Sequence, residues 1–133
     1  MLAQDFDALV ERALRRIPSR FRRRLENVAI MVEREPSARQ LARGRVPRGD
    51  ALLGLYEGRP LPVRSVWQGF GMPDRITIFQ GPIERMARSE AELERIVYET
   101  LWHEIAHYFG MDERQVRAAE RRRALERRPR RRG

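Results

Sequence analysis

The segment from residue 90 to 109 restricts the fold of this chain more than any other. Ser89 stands directly before it and Glu92 follows three positions later, which is the capping-box pattern of a helix N-terminus. Gly110 comes directly after it and is the residue that most readily ends a helix in a left-handed conformation. Apolar residues occupy most of the circumference, as in helices that lie inside a domain. We therefore expect a buried, well-capped helix about 30 Å long.

Both histidines of the chain lie in this segment, within His103-Glu104-Ile105-Ala106-His107. On a helix this H-E-x-x-H spacing places two imidazoles one turn apart on the same face, with a carboxylate beside them. Zinc hydrolases use this arrangement to bind the metal and to activate water. The alternative is a pair of core histidines with ordinary hydrogen-bond partners, and the spacing together with Glu104 disfavours it.

A zinc site with two histidines needs at least one more protein ligand and a water molecule. The chain has no cysteine, so the further ligand must be a carboxylate. Gly110 can turn the chain back after the helix, and we predict Glu113 as the third ligand, with Asp112 as the alternative. Asp112 and Gln115 also form a capping-box pattern that opens a final helix. An acid in the first turn of a helix is common for dipole reasons alone, so the choice stays open here.

Shorter sequence patterns predict the other helices, strands and loops of the chain. Apolar spacing predicts a helix from Phe6 to Ile17, which Pro18 ends. The other expectations are a helical piece at 21–25, a buried strand at 28–32, a loop at 36–50, a short strand at 52–57, a half-buried strand at 75–79 and one or two helical turns at 82–88. Trp67 and Phe70 lie in a Gly-rich segment, where they either line a substrate cleft or anchor the core.

Length and charge narrow the class of protein. The 133 residues suit one domain, predicted at 1–118, and an Arg-rich tail at 119–133 that we expect to be frayed. Residues 1–113 carry 18 Arg against 17 acidic residues, whereas residues 114–133 carry 10 Arg against 2 Glu. The tail could bind nucleic acid weakly and nonspecifically, although no aromatic residue or recognition motif accompanies it. We expect no membrane segment and no signal peptide, which favours the cytoplasm.

The string H-E-x-x-H-x-x-G-x-x-E, from His103 to Glu113, resembles the extended motif of the metzincins. More closely, the chain resembles a family of very small bacterial zincin-like metallopeptidases. Stretches similar to that family are Asn27 to Glu33, Gly54-Leu55-Tyr56-Glu57-Gly58 and Pro73 to Arg85, and the resemblance covers roughly residues 5 to 118. Two features depart from the pattern. Position 113 is usually His in metzincins and often Asp in the small family, and no methionine after Met111 could supply a Met-turn.

The resemblance implies an α+β minimal zincin-like domain, with a small mixed sheet packed on the helix that carries the motif. It also implies one bound Zn²⁺ with His103 and His107 as ligands, and Glu104 as the general base of a peptidase. In zincins an extended peptide pairs with an edge strand beside this helix, and we assign that role to Ile76, Thr77, Ile78 and Phe79. Tyr108, Tyr56 and Arg75 are the candidates for stabilising the oxyanion.

Two hypotheses from other classes remain. The small size leaves little surface for a deep specificity cleft, so the chain could be a zinc-binding, catalytically weak module that recognises a peptide or protein. The Arg-rich tail suggests the second hypothesis, that the chain is a nucleic-acid-associated protein with a structural metal.

Overall fold

The structure is a computed structural model that describes residues 3–25, 27–46, 49–58 and 74–127, without the side chains of residues 3, 4, 113 and 123–127. Trp67 and Phe70 lie outside the described residues. The elements in chain order are α1 (Ala3–Arg16), α2 (Ser19–Arg22), β1 (Val28–Glu33), α3 (Ala38–Arg43), β2 (Gly54–Glu57), β3 (Asp74–Phe79), α4 (Gln80–Met86), α5 (Glu90–Phe109) and α6 (Glu113–Arg127). The predicted α+β class is confirmed.

The three strands form one mixed sheet in the order β1-β3-β2. β1 runs parallel to β3 along its whole length, and β2 runs antiparallel to β3 with Gly54 opposite Ile78. Within the described part of the chain, β3 is therefore the central strand, and β1 and β2 are the edges. Ile76 and Thr77 point to opposite faces and are both fully buried, so both faces of β3 are covered.

The main core lies between one face of the sheet and the helices α1 and α5. Ile76 and Ile78 of β3 belong to one buried cluster with apolar residues of α1 and α5. The residues they join include Phe6, Leu9, Val10, Val97, Leu101 and Ile105. A smaller cluster of Leu52, Leu55 and Phe79 lies on the other face of the sheet. The packing leaves one long side of α5 free of the sheet, and that side carries the histidines.

Two expectations about the strands are wrong. The segment 75–79 was predicted to be a half-buried edge strand available to a peptide, but β1 and β2 occupy both of its sides. The apolar run 28–32 was predicted to be buried, yet β1 is an edge strand of intermediate exposure whose Met31 is 42% exposed. An apolar run of this length fits either position, because the pattern reports composition and not pairing partners.

The expectations for the loop at 36–50 and for the tail also need correction. α3 lies within the predicted loop and begins with a complete capping box, in which Ser37 Oγ accepts from Gln40 N and Gln40 Oε1 accepts from Ser37 N. The tail was predicted to begin at residue 119, but α6 continues to Arg127 and Ala119 is buried in the main core. None of the helices in the described part of the chain is long and apolar enough to cross a bilayer.

Candidate active site

Both ends of α5 are fixed as the sequence predicts. Ser89 Oγ accepts a hydrogen bond from Glu92 N at 3.1 Å, which is one half of the expected capping box. Gly110 has φ 68°, and the amides of Gly110 and Met111 donate to the carbonyls of His107 and Ala106. This 5→2 and 6→1 pair of bonds is the Schellman motif, which ties the end of the helix to the turn after it.

The two histidines project from the exposed side of α5, and the carboxylate between them is buried. The ring centroids of His103 and His107 are 4.5 Å apart. The side chain of His107 is 50% exposed, whereas that of Glu104 is 7% exposed. One nitrogen from each imidazole and one oxygen of Glu104 lie within 4.8 Å of one another. The structure therefore brings together three of the four residues predicted for the site.

Glu104 is held by a partner from the edge strand. Its Oε1 accepts a hydrogen bond from the backbone N–H of Tyr56 at 2.9 Å and lies 3.4 Å from His107 Nδ1. Hydrogen bonding and charge attraction to Glu104 raise the pKa of His107, and partial burial opposes that rise. Tyr56 is itself anchored, because its hydroxyl donates to Asp74 Oδ2 at 2.7 Å.

Two clefts meet at His103. One is about 470 Å³ and lies between α5 and α6, where Trp102, Ala106, Met111 and Val116 form its apolar part. The other is about 420 Å³ and lies between α5, α4 and the start of β2, and is lined in part by Gly54, Thr100 and Glu104. The histidine pair is thus open to a ligand that crosses the exposed side of α5.

Glu113 and Asp112, the predicted third ligand and its alternative, lie at the junction between α5 and α6. Glu113 is the first residue of α6, but its side chain is outside the described residues. Asp112 lines the same cleft as both histidines, and its Oδ1 accepts from Gln115 N at 2.9 Å, as a helix cap does. Glu120 also lines this cleft and was missed in the sequence. Its place two helical turns after Glu113 was the available signal.

The candidates for oxyanion stabilisation do not reach the clefts. Tyr108 is 1% exposed, and the hydroxyl of Tyr56 is engaged with Asp74. Arg75 precedes Ile76 on β3, so it points to the sheet face away from α5. None of the three lines either cleft. The geometry therefore supports none of these assignments.

The donor set fits zinc. Two imidazoles one turn apart on a rigid helix, carboxylates in the same cleft and no cysteine match the nitrogen and oxygen ligands of catalytic zinc. The exposure of both rings leaves room for a ligand beside them.

Comparison with known proteins agrees with this geometry. Residues 25–123 match the profile of a family described as zincin-like metallopeptidases. The chain belongs to the zincin-like metallopeptidase family. A solved structure of a conserved hypothetical protein from Thermo thermophilus is similar, with 28% identity and a TM-score of 0.56, over 82% of this chain and 94% of that one. No curated protein matches the chain.

Membership of this family confirms the predicted resemblance to zincin-like metallopeptidases. It implies zinc as the metal and peptide hydrolysis as the reaction class. The similar solved structure carries no assigned activity, so it supports the fold of this zincin-like chain and adds nothing on its substrate.

Proposed function

We propose that this chain is a zinc-dependent metallopeptidase in which Glu104 is the general base. The observation that carries the proposal is one buried carboxylate beside two exposed imidazoles, where two clefts meet. A metal hydrolase needs a metal-binding face that is open to substrate and a base held close to that face. The family match supports the same reaction class.

In this proposal His103 and His107 hold one zinc ion, with Glu113 as the third ligand and Asp112 as the alternative. When bound, zinc supplies the Lewis acidity that polarises a peptide carbonyl and makes water a better nucleophile. Glu104 takes a proton from the attacking water and delivers it to the leaving amine nitrogen as the C–N bond breaks. Because Oε1 of Glu104 is bound by Tyr56 N–H, the other oxygen is the better placed for this transfer.

The substrate in this proposal is an extended peptide that pairs with the outer edge of β2. Phe79 N donates to Leu53 O, so the alternation of an antiparallel pair directs the N–H and C=O of Gly54 away from β3. Gly54 also lines the cleft that contains His103 and Glu104. Backbone pairing of this kind binds peptides with little demand on their sequence.

The test compares metal content and cleavage in four proteins. Wild type, His103→Ala, Glu104→Gln and the matched control Glu94→Gln are loaded with zinc and assayed against a broad peptide library. Glu94 lies on α5 and pairs with Arg12, outside both clefts. We expect His103→Ala to lose zinc, and Glu104→Gln to keep zinc but lose about 10²- to 10⁴-fold in cleavage rate. Glu94→Gln should match wild type.

Zinc binding without Glu104-dependent cleavage would contradict the peptidase proposal. It would favour the alternative function, a zinc-binding and catalytically weak module that recognises a peptide or protein. Binding of uncleaved library peptides to the zinc-loaded chain then becomes the measurement that tests the alternative.

A further inference from the structure

We propose that Gly54 is a positioning residue for Glu104, because only a residue without a side chain lets β2 approach α5 closely enough. A Cβ at Gly54 would lie 2.7 Å from Thr100 Cγ2 and 3.2 Å from Glu104 Cγ. Thr100 is β-branched and lies within α5, where its side chain has two preferred rotamers, so its methyl group has few alternative positions. Position 54 therefore requires glycine because there is no space for a Cβ between β2 and α5.

The close approach of β2 to α5 holds Glu104 in place through a hydrogen bond from the main chain of β2. Two residues after Gly54, the N–H of Tyr56 donates to Glu104 Oε1 at 2.9 Å. A substitution of Tyr56 by any residue except proline keeps that donor, because it belongs to the main chain. A displacement of β2 relative to α5, or of the Glu104 side chain, lengthens the bond, and a Cβ at position 54 acts on both. Gly54 limits that displacement, since a Cβ added there would meet Thr100 and Glu104 of the helix.

The side chain of Tyr56 holds β2 in register with β3. Its hydroxyl donates to Asp74 Oδ2 at 2.7 Å, and Asp74 is buried at the start of β3. The strand is thus held to β3 by pairing and by this bond, while Gly54 lets it lie close to α5 at Thr100. A methyl group at position 54 pushes against Thr100, and the strand and the helix must separate for it to fit.

The inference rests on the proposed function for its effect on catalysis, but the geometry is tested separately. The full chain is compared as wild type, Gly54→Ala, Thr100→Ser, and Gly54→Ala combined with Thr100→Ser or with Thr100→Val. Serine removes the methyl group that blocks the new Cβ, whereas valine retains it and replaces the hydroxyl group by a second methyl group. Measurements are the Tyr56 amide resonance without metal, zinc affinity, and kcat and KM on the best library peptide.

We expect Gly54→Ala to shift the Tyr56 amide proton upfield, as a weakened hydrogen bond does. We expect kcat to fall about 10²-fold, the cost of a displacement of about 1 Å in a catalytic constellation. Zinc affinity should change by less than about threefold, because Thr100 and Glu104, not the histidines, lie against Gly54. Thr100→Ser should restore both the amide shift and kcat, and Thr100→Val should restore neither.

An unchanged amide shift and kcat in Gly54→Ala would overturn the inference, as would equal recovery with serine and valine. Should Gly54→Ala not fold, its combination with Thr100→Ser is compared with Thr100→Ser alone. A lower kcat with an upfield amide shift supports the inference there, and identical values overturn it. If wild type cleaves no peptide, the proposed function fails, and the amide shifts still decide whether Gly54 positions Glu104.

Discussion

Glu104 and the two histidines differ in how far solvent reaches them, and this difference matters for the chemistry. The imidazoles are exposed, so a metal and a substrate can approach them. The carboxylate is buried beside them and held by Tyr56 N–H, so its position is set before any ligand arrives. In the proposed reaction, a base that is already placed needs no reorganisation.

The raised pKa of His107 predicts how zinc affinity depends on pH. Zinc and a proton compete for the same imidazole, so affinity falls as pH is lowered through the pKa of His107 in the metal-free protein. Because that pKa is raised by Glu104, the fall should begin at a higher pH than for an ordinary histidine. Zinc competition titrations from pH 5 to pH 8 measure the midpoint.

Glu104→Gln is the control for this pH dependence. It removes the charge that stabilises protonated His107, so the midpoint should move to lower pH. Glu94→Gln, which changes the same charge elsewhere on α5, should leave the midpoint in place. Equal midpoints in wild type and Glu104→Gln would show that another group controls the pH dependence.

The sequence predicts the histidine pair and Glu104 because their relation is local to one helix. It does not predict that the partner of Glu104 is Tyr56 N–H, which lies 48 positions away. A backbone amide has the same chemistry at every position except proline, so no residue type marks it as a partner. The sequence shows that position 54 is glycine but not why a glycine is needed there. The need arises because β2 packs on α5 so closely that a Cβ at position 54 would meet Thr100.

At the scale of elements, the junction between α5 and α6 decides the third ligand. Asp112 already caps α6 through its bond with Gln115 N, and the capping box is complete because Gln115 Oε1 accepts from Asp112 N. Asparagine caps a helix as well as aspartate does, but it lacks the carboxylate. Asp112→Asn therefore distinguishes the role of this residue as a helix cap from its alternative role as a metal ligand.

We expect Asp112→Asn to keep both zinc affinity and thermal stability. Glu113→Gln should lower zinc affinity at least about tenfold, because it replaces the proposed carboxylate ligand with a weaker one. The measurements are zinc competition and thermal melting of the metal-free protein. A loss of zinc affinity in Asp112→Asn with none in Glu113→Gln would assign the third ligand to Asp112.

Gly110 at the same junction should tolerate asparagine better than alanine. Its φ of 68° is left-handed, which costs an ordinary residue about 1–2 kcal/mol and asparagine less. We expect Gly110→Ala to lower the free energy of unfolding by about 1 kcal/mol or more, and Gly110→Asn by clearly less. Denaturant unfolding of the metal-free protein measures both values, and equal losses would contradict the argument from backbone conformation.

Helices were easier to predict than strand positions. The bounds of α5 were predicted correctly because both ends carry capping signals, and α1 followed from its apolar spacing. α3 was missed although Ser37 and Gln40 form a capping box, since the Pro, Gly and Arg content of 36–50 favoured a loop. The strands were placed in sequence, but their order in the sheet depends on contacts between distant segments, which a local pattern does not carry.

At the scale of the whole molecule, charge is more unevenly distributed than the division into body and tail indicates. Residues 15–24 hold six Arg and no acid, so the remainder of 1–113 has 12 Arg against 17 acidic residues. Arg16, Arg20 and Arg24 stack over the rings of Tyr98, Phe21 and Phe109. None of the six pairs with a carboxylate among the described side chains. The folded body therefore has a basic surface of its own, apart from the tail.

This surface should contribute to nonspecific binding of nucleic acid, because each phosphate contact made by an arginine releases counterions. Arg15→Gln with Arg23→Gln removes two charges from it, and Arg39→Gln with Arg43→Gln removes two that already pair with Glu57. Binding to a short DNA duplex is measured across a salt series. We expect the first pair to lower the slope of log K against log salt by about 2, and the second pair to lower it less. Equal slopes in the two double variants would place nonspecific binding in residues 114–133, as the sequence alone predicts.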